Sequence, residues 1–435
     1  MTLETTEPAV APDAVVSERT RYAIVGCGHR ALGMFAQPLQ QQFADRAELV
    51  GLCDNNTHRL HYYAEHLAPS PAVFTDFQQM LRQQRPHRVI VCCPDHLHDR
   101  FVVEALEFGC ERVICEKPLT TTPAKLQRIR EAEARCPGEV VVTFNYRHTP
   151  LMMKVRQLML DRVIGDVSAG SLDWFLDTNH GAEYFRRWHA HKANSGGLLV
   201  HKSTHHFDML NWWLGLDPVR VFARGSLQRY GSAGPFRGES CRGCEHAKTS
   251  GTSGGQCPFY RDITSDQHLQ ELYVEGEDLD GYIRDRCVFR EDIDIEDTLH
   301  LQIDYGQAVV NYSLVAYAPW EGWRLTLVGT QGRLDIHAFH RWPYASDKPE
   351  DVITLYRSGA SEPEIVDYNN GQLATGGHGG GDDRIREYLF ADRKDDPLAI
   401  MADTHAGAMS VAIGFAGNQS LAADRPVTIA EVLGE

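Results

Sequence analysis

The sequence predicts an α/β protein that begins with a doubly wound parallel sheet. Four short runs rich in Val, Ile and Leu alternate with helical patterns, and a parallel sheet buried on both faces needs such continuous apolar runs. The first run leads at once into a glycine-containing turn and a helical pattern, which is the strand-turn-helix order of a dinucleotide site. The predicted strands are residues 21–25, 48–53, 88–93 and 112–115.

The turn after the first strand reads Gly26-Cys-Gly28-His-Arg-Ala31. Gly26 would permit the tight turn, Gly28 would let the backbone approach a pyrophosphate, and Ala31 is small enough for the helix to pack on the strand. Backbone N–H groups at the helix start, around His29 and Arg30, would then hold the phosphates. This pattern alone also occurs by chance, so the prediction depends on its position after a strand.

The second strand ends at Asp54, and Arg59 follows one helical turn later. A carboxylate at this position can accept hydrogen bonds from a ribose diol, which favours NAD. Arg59 could instead bind a 2′-phosphate, so NADP stays open. Asp54 could also cap the following helix, and one side chain does not easily serve both roles.

Functional side chains are also predicted at the ends of the third and fourth strands. Pro94 and His98 follow the third strand, and Glu116 and Lys117 follow the fourth, just before a proline. Ligands of open parallel sheets bind beyond the carboxyl ends of the strands, where all these residues fall. We therefore count them with Gly26, Gly28, His29, Arg30, Ala31, Asp54 and Arg59 as candidate cofactor-binding residues.

Composition limits the classes of partner. The chain has 435 residues, of which 43% are apolar and 23% charged, enough for two domains with sizeable cores. A net charge of −16 argues against nucleic acid, because such binding needs clustered Lys and Arg. No apolar run reaches the roughly 20 residues of a membrane helix, and residues 1–20 match neither a secretory nor a mitochondrial signal. We expect a disordered tail on a soluble, cytoplasmic protein.

The second half contains a segment able to move protons, Ser195-Gly-Gly-Leu-Leu-Val-His201-Lys202-Ser-Thr-His205-His-Phe-Asp208. Removing a hydride from a carbinol carbon leaves a proton on oxygen, and a positioned base accelerates that step by roughly 10²–10⁴-fold. His205 can be this base, His201 is a second candidate, and Lys117 can polarise the developing alkoxide. Asp208 lies on the same helical side as His205, where it could orient that imidazole or cap the helix.

Other parts of the second half could contact a substrate or a metal. Residues 174–189 alternate aromatic and polar side chains, including Tyr184 and Trp188, which suits either a carbohydrate site or an aromatic mini-core. The Gly-rich stretch around His378 could close over substrate or be a flexible connector. Residues 232–290 resemble an insertion, and its cysteines could bind a structural zinc ion, form a disulfide or stay free. These cysteines are Cys241, Cys244, Cys257 and Cys287.

These motifs together resemble the Gfo/Idh/MocA family, the relatives of glucose-fructose oxidoreductase and inositol dehydrogenase. The resemblance rests on Gly26-Cys-Gly28, Asp54, Pro94 with His98, Glu116-Lys117-Pro118, Asn145-Tyr-Arg147 and the glycine pair leading to His205 and Asp208. It covers roughly residues 20–230 and, more loosely, 290–435. It implies a Rossmann domain (residues 21–145) followed by an α/β domain with an open, mostly antiparallel sheet (residues 146–435), and a substrate pocket between them.

The resemblance also implies NAD or NADP chemistry on sugars, inositols and related polyols. Lys117 would hydrogen-bond the reacting hydroxyl and His205 would be the acid/base. Many relatives carry an aspartate four residues before that histidine, where this chain has His201, followed by Lys202. Candidate substrate-binding residues are Arg147, Tyr184, Trp188, Lys202 and His378.

Three functions remain open from the sequence. The first is an NAD(P)-dependent sugar or polyol dehydrogenase, and the second is a redox-neutral glycosidase that uses bound NAD⁺ transiently. The third is a nucleotide-sensing protein without turnover, against which the retention of Lys117 and His205 counts. In each case the expected partner is a small carbohydrate, not nucleic acid or membrane, and the family architecture implies a homo-oligomer.

Overall fold

The computed structural model describes residues 19–247, 257–368 and 377–435, with the side chains of residues 377 and 378 excepted. Most of the predicted N-terminal tail therefore lies outside the described residues. The strands are β1 (Thr20–Val25), β2 (Ala47–Cys53), β3 (Ala72–Phe74), β4 (Arg88–Val91), β5 (Arg112–Cys115), β6 (Glu139–Val142), β7 (Val167–Asp177), β8 (Arg220–Ser226), β9 (Thr298–Asp304), β10 (Val309–Ala318), β11 (Glu321–Gly329), β12 (Gly332–Arg341), β13 (Val352–Arg357), β14 (Glu364–Ile365), β15 (Ala402–Asp403) and β16 (Val427–Thr428).

Helices connect these strands. The α-helices are α1 (His29–Ala31), α2 (Gln37–Gln41), α3 (Thr57–His66), α4 (Phe77–Gln84), α5 (His98–Phe108), α6 (Pro123–Arg135), α7 (Pro150–Leu160), α8 (Thr178–Arg186), α9 (Lys192–Ser195), α10 (Leu198–His201), α11 (Thr204–Leu214), α12 (Gln267–Leu269), α13 (Glu277–Asp280), α14 (Gly381–Phe390), α15 (Thr404–Ala423) and α16 (Ile429–Leu433). Two π-helices occupy Leu32–Ala36 and Gln270–Val274. The 3₁₀ turns are Asp95–Leu97, Asn145–His148, Trp188–Ala190, Gly231–Ala233, Ile263–Ser265 and Gly377–Gly380. None of the described helices is long and apolar enough to cross a membrane.

The N-terminal sheet confirms the predicted parallel architecture. Its seven strands run in the order β15-β6-β5-β4-β1-β2-β3, and all neighbours are parallel except β15 with β6. The apolar runs of β1, β4 and β5 are almost fully buried because helices cover both faces. The carboxyl ends of β1, β4 and β5 consequently meet at one edge, which carries the glycine turn, Pro94 and Lys117.

The second sheet has nine strands in the order β14-β13-β12-β11-β7-β10-β9-β8-β16. Only β7 and β10 pair in parallel, so the sheet is mostly antiparallel, as the resemblance implies. The sequence also predicts strands at residues 298–303, 308–315 and 324–328, which correspond to β9, β10 and β11. It predicts a helix at residues 404–421, which is α15, and this helix packs against β8 of the sheet and against α11.

Two segments of the second half return to the N-terminal sheet. Helix α14 and strand β15 pack there, with the Tyr22 hydroxyl donating to the Leu389 carbonyl at 3.2 Å and the Phe390 ring 5.4 Å from the ring of Tyr22. The segment between β8 and β9, predicted as an insertion, contains only short helices in its described part. Its residues 263–282 pack on the apolar cluster around α3. The two halves of the chain are thus tied together at both of these places.

Candidate functional site

The glycine turn has the backbone that the motif predicts. Gly26 has a φ of +95°, and a Cβ there would lie 2.5 Å from the backbone nitrogen of Cys93, so only glycine fits between β1 and β4. The backbone N–H of His29 donates to the hydroxyl of Tyr273 at 2.7 Å. A phosphate oxygen could accept from the same N–H, provided that it takes the place of the Tyr273 hydroxyl.

Asp54 is attached to the same turn and does not cap α3. Its carboxylate accepts from the backbone N–H groups of Cys27 at 2.7 Å and Asn56 at 2.8 Å. The cap of α3 is Asn56, whose side chain accepts from His58 and Arg59. Asp54 is thereby held at the edge of the turn, where the sequence predicts a ribose contact.

The two arginines predicted as cofactor ligands are both held in ion pairs. Arg59 Nε lies 3.2 Å from Asp54, and the same guanidinium pairs with Asp280 from the segment between β8 and β9. Arg30 is 2.9 Å from Glu116 and donates two hydrogen bonds to Asp382 at 3.0 and 3.1 Å. The Arg30–Glu116–Asp382 network thus links α1, the end of β5 and α14.

His98, predicted as a cofactor contact, has both ring nitrogens close to backbone carbonyl oxygens. Its Nδ1 lies 2.8 Å from the carbonyl oxygen of Pro118 and its Nε2 lies 3.0 Å from that of Cys93. The ring is buried and bridges the loops after β4 and β5. Because Lys117 immediately precedes Pro118, His98 holds the backbone that carries this lysine.

Lys117 points across to the second half of the chain. Its ammonium donates to the carbonyl oxygen of His201 at 3.1 Å. Burial lowers the pKa of Lys117 to about 8, although the carboxylates of Asp95 and Glu116 act in the opposite direction. Lys117 is therefore largely protonated at neutral pH, as a cation beside a reacting hydroxyl must be, and it loses its charge in mildly alkaline solution.

His201 is paired with a carboxylate from the N-terminal domain. Its Nδ1 lies 2.5 Å from Oδ2 of Asp95, the residue directly after Pro94. Burial, and then the neighbouring Lys117 ammonium, hold the pKa of His201 well below its usual value. The sequence predicts no role for Asp95, because the two residues are far apart in the chain. Only the position of Asp95 beyond a strand end signals it.

His205 and Arg147 are also buried, with different surroundings. The His205 ring lies 4.7 Å from the ring of Tyr146 and 5.9 Å from that of Phe144. Arg147 forms a bidentate pair with Asp208 at 2.6 and 2.7 Å, and its third nitrogen donates to the Ala399 carbonyl. Asp208 therefore orients Arg147 and not His205, and Arg147 stabilises the fold where the sequence predicts a substrate contact.

Aromatic and polar side chains of the second domain lie near the histidine-rich segment that contains His201. The Lys202 ammonium lies 5.4 and 5.5 Å from the ring centroids of Tyr146 and Trp174. The Tyr184 hydroxyl lies 2.8 Å from His180, whose other ring nitrogen lies 2.8 Å from Glu321. Burial raises the pKa of Tyr184 to about 12, so this hydroxyl stays protonated.

Trp188 and Tyr184 both border His201. The ring centroid of Trp188 is 5.4 Å from that of His201, and the Tyr184 centroid is 5.5 Å away. Trp174 instead belongs to the core, stacked on His206 at 3.7 Å. The predicted aromatic segment therefore divides into a core part and a part beside the candidate base. The side chain of His378 lies outside the described part of the chain.

The structural zinc prediction is not supported. Among the described residues no group of three or more His, Cys, Asp or Glu side chains is arranged to hold a metal ion. The four cysteines line one small cavity together with apolar and aromatic side chains, and Cys241 Sγ accepts from Arg186 at 2.9 Å. Burial raises the pKa of the Cys257 thiol, which favours its protonated form.

Comparison with known proteins covers both halves of the chain. The model of an oxidoreductase family with an NAD-binding Rossmann fold matches residues 20–144, and the model of its C-terminal α/β domain matches residues 156–429. YteT of Bacillus subtilis (strain 168), named as an oxidoreductase, is 39% identical over 432 residues, which are 94% of this chain and 98% of YteT.

More distant relatives carry more specific names. An inositol 2-dehydrogenase of Rubrobacter xylanophilus (strain DSM 9941 / JCM 11954 / NBRC 16129 / PRD-1) is 26% identical over 215 residues, 48% of this chain and 56% of that enzyme. The crystal structure of the WlbA dehydrogenase from Bordetella pertussis, in complex with NADH and UDP-GlcNAcA, has a TM-score of 0.66 at 17% identity, and the match covers 95% of this chain and 99% of that one. This last likeness shows the shared fold. With both family domains matched, the chain belongs to the Gfo/Idh/MocA family of NAD(P)-dependent oxidoreductases.

Proposed function

We propose that the protein is a dehydrogenase that oxidises a hydroxyl-bearing carbon of a sugar, polyol or glycoside and uses NAD in preference to NADP. One observation carries this proposal. Lys117 donates to the backbone of His201, and the imidazole of His201 is held by Asp95. A cation and a fixed base thus stand side by side at the edge of the sheet where the nucleotide domain binds its ligand.

The turn residues would hold the nucleotide. Gly26 lets the turn pack closely against β4, the N–H of His29 would exchange its bond to the Tyr273 hydroxyl for one to a phosphate oxygen, and Asp54 would accept from a ribose diol. When bound, NAD⁺ supplies the acceptor for the hydride that leaves the carbinol carbon.

We assign the proton transfer to His201. In this assignment the Nδ1–H of His201 donates a hydrogen bond to the Asp95 carboxylate, which leaves the lone pair of the neutral imidazole on Nε2, where it can take a proton from a substrate hydroxyl. Burial raises the pKa of Asp95, and the Lys117 ammonium acts against that rise and favours the carboxylate. In the state that we propose, with Asp95 ionised and Lys117 protonated, the three groups carry no net charge together, which limits the cost of burying them. The Lys117 ammonium then stabilises the negative charge that develops on the substrate oxygen.

The resemblance gives the same role to His205, and the two assignments can be separated by experiment. The ring of His205 packs against the ring of Tyr146, and the Lys202 ammonium lies over that same tyrosine ring. In our proposal His205 and Lys202 bind substrate hydroxyls, while His201 takes the proton. His201→Asn should then reduce kcat more than His205→Asn does, and a reversed order would return the base to His205.

A carbohydrate substrate is supported by the groups around His201. The Tyr184 hydroxyl donates to His180 while its oxygen keeps lone pairs for a sugar hydroxyl, and Trp188 offers a ring face for C–H groups. The relatives named inositol 2-dehydrogenase, and the WlbA structure with a nucleotide sugar, point to the same chemical class.

The test is a panel of free sugars, polyols and glycosides incubated with NAD⁺ or NADP⁺, with reduced nucleotide followed by absorbance and products by mass spectrometry. We expect one reduced nucleotide for each keto product. Cleavage of a glycoside that requires NAD⁺ but leaves no net NADH would replace this proposal with the redox-neutral alternative. Lys117→Met serves as the inactive control, and nucleotide binding without turnover on any substrate class would favour the sensing role.

A further inference from the structure

The segment between β8 and β9 forms part of the wall of the nucleotide site. Three of its polar groups are bonded to the turn and to α3. Tyr273 accepts from the His29 N–H at 2.7 Å, the Gly276 carbonyl accepts from the Asn56 side chain at 2.9 Å, and the Glu271 carbonyl lies 2.6 Å from His58 Nε2. These three contacts place the segment next to the proposed phosphate end of the site, at the turn, and next to the proposed ribose end, near Asp54.

At the ribose end this segment contributes a carboxylate. Arg59 lies between Asp54 and Asp280, and the exposed fractions of the three side chains are 10%, 8% and 11%. Asp280 is further fixed because its Oδ1 accepts the N–H of Tyr282 at 3.1 Å. The group of three carries a net charge of −1 in a nearly buried position.

We propose that Asp280 is a specificity-determining residue that directs the nucleotide site toward NAD⁺ and against NADP⁺. The inference deepens the proposed function and rests on it. A 2′-phosphate adds about −1.5 to −2 charges near Asp54. The only cation in contact with Asp54 among the described residues is Arg59, and Asp280 already neutralises it. A phosphate would therefore have to displace a protein carboxylate before Arg59 could bind it.

The expected effect follows from the charge. Asp280→Asn keeps the shape of the side chain and the oxygen that accepts from Tyr282, but changes the net charge of the group from −1 to 0. Relief of one like charge close to a phosphate should strengthen NADP⁺ binding by about tenfold, which corresponds to about 1.4 kcal/mol. NAD⁺ lacks that phosphate, and its dissociation constant should change by less than about twofold on the same scale.

Isothermal titration of NAD⁺ and NADP⁺ into the full-length protein tests this, since it needs no substrate. Asp278→Asn is the matched control, because Asp278 lies in the same short helix and is exposed. In the double variant Asp280→Asn with Arg59→Gln the gain for NADP⁺ should disappear, because the freed guanidinium is the group that binds the phosphate.

The outcomes separate this inference from the proposed function. An unchanged ratio of the two dissociation constants in Asp280→Asn would overturn the role of Asp280, as would an equal gain in Asp278→Asn. A loss of binding for both nucleotides together would show that Asp280 serves only the fold, and would also overturn it. If the wild-type protein bound neither nucleotide, the proposed function itself would fail.

Discussion

Replacement of Asp95 by Asn tests the assignment of the base. The side chain keeps its shape, but its amide can present an N–H to Nδ1 of His201 instead of accepting a proton from it. The imidazole would then carry its proton on Nε2, and the nitrogen that should accept the substrate proton would be blocked. We call Asp95 a positioning residue because it acts through His201.

The magnitude follows from what the hydrogen bond controls. In our assignment Oδ2 of Asp95, 2.5 Å from Nδ1, is the acceptor that fixes the tautomer of His201. Loss of a positioned base costs about 10²–10⁴-fold in rate, or about 3 to 5 kcal/mol in the barrier. Asp95 also raises the pKa of Lys117, so its removal should move that pKa below its value of about 8. The pH at which activity falls on the alkaline side of the profile should move to a lower value as well.

The assay combines kcat and its pH profile with the dissociation constant of NAD⁺ and the melting temperature. We expect a lower kcat, a shifted alkaline limb and unchanged nucleotide binding. The melting temperature should change little, because the neutral amide avoids the desolvation cost that raises the pKa of Asp95 but loses the pairing with Lys117. A lower melting temperature with proportionate losses in binding would mean that Asp95 serves the fold. Full activity with an unshifted limb would refute the His201–Asp95 pair as the proton acceptor.

Three further predictions concern charge, packing and the turn. Lys117→Arg should abolish the fall in kcat/KM above about pH 8, because wild-type activity is lost as the lysine deprotonates through its pKa whereas arginine stays charged; a limb that persists in steady-state profiles would assign it elsewhere. Asp208→Asn should lower the free energy of unfolding by about 3 to 5 kcal/mol, because the buried guanidinium of Arg147 loses its carboxylate partner. Urea titration measures this change, and a loss below about 1 kcal/mol would contradict the prediction. Gly26→Ala should weaken NAD⁺ binding in titration by at least about tenfold, because its Cβ would lie 2.5 Å from a backbone nitrogen; Gly33→Ala, with no atom within 4 Å of its Cβ, is the control and should bind as the wild type does.

The fold could be predicted where the chain repeats a simple pattern. The apolar runs at 21–25, 88–93 and 112–115 became β1, β4 and β5, and the glycine turn followed β1, because local periodicity and turn chemistry dictate these elements. The return of α14 and β15 to the first sheet was not predicted. Nothing local signals it, since it depends on long-range contacts such as that of Phe390 with Tyr22.

The sequence could predict which residues gather near the site, but not which group each of their side chains contacts. Lys117 and His201 stand together in the structure, yet Arg147 and His98 form contacts inside the fold. A guanidinium or an imidazole in a motif looks the same from the sequence whether its partner is a substrate or a buried protein group. That distinction depends on which acceptors the tertiary fold brings within about 3 Å, the hydrogen-bonding distance.

Asp95 supplies a carboxylate next to His201, the residue that this chain has where the family resemblance implies an aspartate. The family resemblance implies, for many relatives, an aspartate on the same segment as the histidine and four residues before it. Here the imidazole belongs to α10 of the second domain and the carboxylate follows β4 of the first. The Lys117–His201 contact crosses the same boundary.

Both contacts therefore exist only while the two domains are in register. A displacement of about 1 Å in such a constellation can cost roughly 100-fold in rate. The bonds that fix the register lie outside the reacting groups, where Arg30 ties α1 and the end of β5 to Asp382 of α14. We infer that this arginine, which the motif would place on the nucleotide, aligns the proposed base with the lysine. In our proposal the chemistry therefore depends on the interface between the domains as much as on the residues that touch the substrate.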